Sequence, residues 1–104
     1  MRQVEFFFGM AIRGRGPVTT RAWRRFLAAE VTPRFPSGLT IFEARGQWQR
    51  KGGQIVREGS HVLVVLYQVG EDAETRIDAI RAAYQKRFHQ DSVLRVESEA
   101  CVSF

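Results

Sequence analysis

Val62-Leu63-Val64-Val65-Leu66 is a continuous, largely β-branched run of strand length, and such a run reads as a strand covered on both sides. It is the heart of a longer extended segment, Gln54 to Gln68. Lys51-Gly52-Gly53 just ahead of that segment is a hairpin signal, so the weakly alternating stretch Leu39 to Gln49 becomes its partner strand. A second strongly apolar segment lies at the amino terminus. There Val4, Phe6, Phe8, Met10 and Ile12 share one phase of a two-residue repeat, with Glu5, Phe7, Gly9 and Ala11 on the other, and the segment ends at Arg13-Gly14-Arg15-Gly16-Pro17.

Two helices separate these strands. Thr19 or Thr20 caps the first, in which Ala22, Trp23, Phe26, Leu27 and Glu30-Val31 follow one helical face until Pro33 and Pro36 stop it. The second spans Glu71 to His89, with Ala73, Ile77, Ile80, Tyr84 and Phe88 in one stripe, acids in its first turns and Lys86 and Arg87 near its end. Ser92 to Phe104 alternates again, Leu94, Val96, Ala100, Val102 and Phe104 against Arg95, Glu97, Glu99, Cys101 and Ser103, and is expected to be a strand with one wet face.

The order β-α-β-β-α-β folds most simply as two split β-α-β units. This predicts an α+β, ferredoxin-like sandwich over residues 1–104, one domain with an antiparallel sheet in the order 4-1-3-2 and both helices on one face. The two most apolar strands, one and three, then fall in the centre.

Composition agrees with a single folded domain. The chain has 104 residues, 44% apolar and 26% charged, which suffices for one core. No apolar run approaches the ~20 residues needed to cross a bilayer. The chain as given is therefore expected in the cytoplasm, or in the periplasm if an export signal has been removed. Cys101 is the single cysteine and His61 and His89 are the two histidines, so no Cys-based zinc cage is possible and neither a metal nor another cofactor is expected. The formal charge of +5 divides unevenly: eleven basic and three acidic residues up to Arg57 give +8, and five against eight from Glu58 onward give −3.

Trp23-x-x-Phe26, the run Val31-Thr32-Pro33-Arg34-Phe35-Pro36-Ser37-Gly38-Leu39-Thr40, Gly46-Gln47-Trp48, Arg57-Glu58 and Ser92-Val93-Leu94 together resemble an uncharacterised bacterial family of short proteins. That family is a domain of unknown function, and many members are exported or lipid-anchored. The resemblance covers nearly the whole chain and implies no activity.

Few residues suggest chemistry. Glu58, Ser60 and His61 are adjacent, but on a strand Glu58 and Ser60 point to one face and His61 to the other, which excludes a local triad. Cys101 is read as a small buried hydrophobe rather than an exposed thiol beside Arg95. Arg13 and Arg15 in the glycine turn, and Arg34 and Arg45 with Trp48 close in sequence, are the candidates for holding a small anionic ligand.

The sheet face away from the helices carries more of the argument. With Val4, Phe6 and Phe8 toward the helices, Phe7, Phe42, His61, Leu63, Val65 and Tyr67 or their neighbours are expected to line an apolar open face, which a second copy of the chain would cover. The leading expectation is thus a non-enzymatic binding or structural module that forms a homodimer. The alternative is a small enzyme of the dimeric ferredoxin-like kind, such as a monooxygenase, with His61 or Tyr67 at the interface pocket. RNA binding ranks last, because the third strand lacks the aromatic, basic octapeptide of RNA-recognition modules.

Overall fold

In the computed structural model, which describes residues 1–104 apart from Arg13 and Glu71, the alternation of the first apolar segment becomes strand β1 (Arg2–Gly9). Val4, Phe6 and Phe8 are fully buried, and Glu5 and Phe7 on the other phase are half-exposed. Thr19 caps helix α1 (Thr20–Phe26), its hydroxyl accepting the Ala22 N–H at 3.1 Å. The helix then widens into a π-helical turn (Leu27–Val31), in which the Thr32 N–H reaches back to the Leu27 carbonyl at 2.9 Å. Pro33, which has no N–H to continue the ladder, follows directly.

Strands β2 (Thr40–Gln49) and β3 (Ile55–Tyr67) form a long hairpin, turned through Gly52 and Gly53, whose φ of 100° and 93° lie where a side chain would be strained. Helix α2 (Ala73–Phe88) buries Ala73, Ile77, Ile80, Tyr84 and Phe88, the stripe read from the sequence. His89 ends it in the left-handed conformation, φ 53°, and donates its N–H to the Gln85 carbonyl. Strand β4 (Leu94–Glu99) completes the sheet. It stops short of the expected carboxyl end, so Val102 and Phe104 are outside the ladder.

The sheet is antiparallel, in the order β2-β3-β1-β4, which read from the opposite edge is 4-1-3-2. Both helices pack on one face. Phe6 lies opposite Leu63, and Val4 opposite Val65, so these four share the helix-facing side with Trp23, Phe26, Ile80 and Tyr84. At the centre, Phe8 meets Tyr84 at 4.7 Å, Trp23 at 5.2 Å and Phe26 at 5.7 Å between ring centroids. The buried Tyr84 hydroxyl donates to the Gly9 carbonyl, which ties α2 to the end of β1.

That register corrects the expected open face. Leu63, Val65, Tyr67 and His61 all point to the helix side, and the opposite phase of β3, Val62, Val64 and Leu66, shares the open face with Phe7 and Phe42. Strand β4 is also inverted relative to expectation. Its charged phase faces the helix side, where Arg95 engages Glu74 and Asp78 of α2 and Glu97 beside it, while Leu94 and Val96 face outward.

Candidate functional site

The open face presents a band of unpartnered apolar side chains. Leu94 is 58% exposed, Phe42 55%, Trp48 48%, Val96 43% and Leu66 41%. These come from both edges and the centre of the sheet, so the band is continuous across strands rather than a scatter of single residues. Val62 is already buried between its neighbours Phe7 and Phe42. Among the polar residues of this face, Glu5 lies opposite Val64 and Val96, accepting from the Gln3 amide at 3.3 Å.

At one end the band runs into a cleft of about 530 Å³. Phe7 and Trp48 supply aromatic walls, and Glu58, Ser60 and Gln90 supply polar groups. Glu58 is fixed by the strand ending: where the main-chain ladder of β1 stops, its carboxylate accepts the Ala11 N–H at 3.0 Å. The Gln90 amide donates to the Ala11 carbonyl at 2.8 Å, so one short segment anchors both. A Cβ added at Gly9 would lie 2.6 Å from the Glu58 carboxylate, which would have to shift from its place on the Ala11 N–H.

The remaining candidates are dispersed. His61 stacks on Trp23 with ring centroids 4.2 Å apart and planes at 10°. Burial holds its pKa below the ordinary 6.5, with the charge of Glu43 opposing. Nδ1 is buried without a partner, and an orphaned N–H is costlier there than an orphaned lone pair, which favours the neutral tautomer protonated on Nε2. Tyr67, read as an open-face residue, instead donates its hydroxyl to Glu97 at 3.1 Å on the helix side.

Arg34 is engaged by Glu30 at 2.8 Å and is not free to hold an anion. Arg45 and Trp48 do not form one pocket, because residues three apart on a strand face opposite sides. Arg15 is exposed in its turn, and Arg13 lies outside the described residues. Cys101, expected to be buried, is exposed because β4 ends before it. Sequence reasoning missed Leu94 and Val96 as open-face residues, although their shared phase was visible; it assigned that phase to the covered side.

A titration tests the burial of His61. The His61 imidazole is expected to show an NMR midpoint below 6.5. The unfolded chain then takes up its proton first, so stability falls as pH drops through the window between the two values. The urea midpoint is expected to be lower at about pH 5 than at about pH 7.5, and the difference to shrink in His61→Phe. A midpoint above 6.5 would contradict the burial argument.

The sequence profile of a protein family of unknown function, DUF3574, matches residues 3–104. The chain belongs to that family. No curated protein matches it. Among solved structures, a phage SAM lyase in complex with S-methyl-5'-thioadenosine superposes with a TM-score of 0.72 at 18% identity, covering 94% of this chain and 80% of the lyase. The apo lyase gives 0.71, 18%, 93% and 78%. At this identity the likeness shows a shared fold. In the DUF3574 domain, no described helix is long and apolar enough to cross a membrane.

Proposed function

We propose that this DUF3574 domain is a binding module that self-associates through its open sheet face, with the Phe7–Trp48 cleft as a ligand pocket at the margin of the contact. The supporting observation is the apolar band, five large side chains each more than two-fifths exposed on one side of a sheet. Burying such a side chain is worth about 1.5–3 kcal/mol in transfer terms, although association costs remove much of that sum. A second copy presents the same self-complementary surface about a two-fold axis. Glu5 opposes the contact, since its carboxylate must be desolvated or paired there.

Sedimentation at micromolar concentration tests the reading. The native chain is expected at twice its 11.9 kDa mass, and Leu94→Asp at the monomer mass and still folded, because Leu94 is already solvated in the single chain. Native protein sedimenting at 11.9 kDa would refute it.

A second reading is favoured by the cleft together with the fold. The phage lyase of the same fold binds S-methyl-5'-thioadenosine. In the DUF3574 cleft, Trp48 or Phe7 offers a stacking surface for a purine, Gln90 an amide for its edge and Glu58 an acceptor for ribose hydroxyls. This would make the chain an adenosyl-thioether-binding protein, and an enzyme if it acts on that ligand. S-methyl-5'-thioadenosine is expected to raise the melting temperature saturably, with the shift lost in Trp48→Ala. No shift at millimolar ligand would dispose of the idea.

A further inference from the structure

The helix-facing side of the β2–β3 hairpin runs out from under the helices. Its rungs are Ile41 opposite Leu63, Glu43 opposite His61, Arg45 opposite Gly59, and Gln47 opposite Arg57. Ile41 and Leu63 pack into the core, and His61 is covered by Trp23. From Arg45 and Gly59 outward the strands lose their cover. Along β3 this side therefore reads Arg57, Gly59, His61, a bare backbone position between a cation and an imidazole.

Gly59 is not required by its backbone. Its φ lies outside the left-handed region and an added Cβ would meet nothing within 4 Å. What glycine does here is leave a floor. Two adjoining depressions, of about 480 and 560 Å³, share Arg45 and Gly59; His61 and Glu43 line the first and Arg57 the second. Arg45 and Arg57 are diagonal neighbours across the strand pair, within reach of one ligand group. Neither guanidinium pairs with a carboxylate among the described residues, unlike Arg34, Arg76, Arg81 and Arg95.

We propose that this glycine-floored cleft binds a small oxyanion, the carboxylate or phosphate group of a low-molecular-weight ligand, between Arg45 and Arg57 with the His61 Nε2–H as a third donor. Guanidinium forks match both groups bidentately. A neutral imidazole protonated on Nε2 adds a donor with no further charge. Glu43, opposite His61, is exposed and works against the anion, so its removal should tighten binding. The site is on the side of the sheet opposite the proposed association surface and stands independently of it.

Succinate and inorganic phosphate, titrated at low ionic strength and followed by amide chemical shifts, test this. At least one is expected to shift Gly59 and His61 saturably, and whichever binds identifies the group. Arg45→Gln and Arg57→Gln should each weaken binding about tenfold or more, and Glu43→Gln should strengthen it. Gly59→Val should abolish it with the fold retained, and Leu94→Asp should leave it intact. No saturable shift with either anion overturns the proposal. So does binding that survives both arginine substitutions, or shifts centred on Arg21, Arg24 and Arg25 of α1.

Discussion

Val65→Asp is expected to unfold the domain, whereas Leu66→Asp, one residue along, leaves it folded. Val65 is 1% exposed and faces the helices, opposite Val4 on β1. The cations of that side, Arg2 and Arg95, are already engaged by Glu97 and Glu74, so an aspartate there must either stay charged in an apolar setting or bind a proton, at a cost of several kcal/mol. A domain of this size is stable by only about 5–15 kcal/mol, so such a loss consumes most or all of it. Leu66 points to the other side and is already 41% exposed. Its replacement is expected to leave the chain folded and to weaken the proposed self-association instead. Circular dichroism with urea titration of the two variants checks the pair. A folded Val65→Asp beside an unfolded Leu66→Asp would mean that the faces of β3 are reversed.

That pair also marks where sequence reading stops. The phase of β1 was legible because Glu5, Gly9 and Ala11 interrupt one side, and the α2 stripe was legible because five apolar residues recur at helical spacing. Val62 to Leu66 has no such interruption. Either phase of an all-aliphatic run can face the helices, and the choice is made by the register of Phe6 on Leu63, a tertiary fact. Strand β4 misleads for a related reason: its charged phase looks wet in sequence. In the fold Arg95 bridges to Glu74 and Asp78, acids from α2 whose proximity no local pattern reveals. Gly59 illustrates a third limit, since a glycine within a strand reads as a weak point, and its role as a floor between Arg57 and His61 appears only with the rungs aligned.

Phe8→Ala is expected to cost about 3–5 kcal/mol, the usual range for deleting a buried phenylalanine ring. Phe8 is fully buried, and its ring contacts Phe6, Trp23, Phe26 and Tyr84, which themselves belong to β1, α1 and α2. No neighbouring side chain can fill the void without breaking another ring contact, so relaxation recovers little of the loss. The effect should reach the His61 wall as well. Trp23 is held between Phe8 and His61, and loosening it is expected to shift the His61 ring resonances before global unfolding. Phe42→Ala, by contrast, removes a ring that is 55% exposed, and in the monomer it should cost under about 1 kcal/mol. The order reverses for association: Phe42→Ala should weaken the proposed dimer while Phe8→Ala, where still folded, should not. Were Phe42→Ala to destabilise the monomer as much as Phe8→Ala, the open face would be part of the folding core, and the case for a second copy covering it would fail.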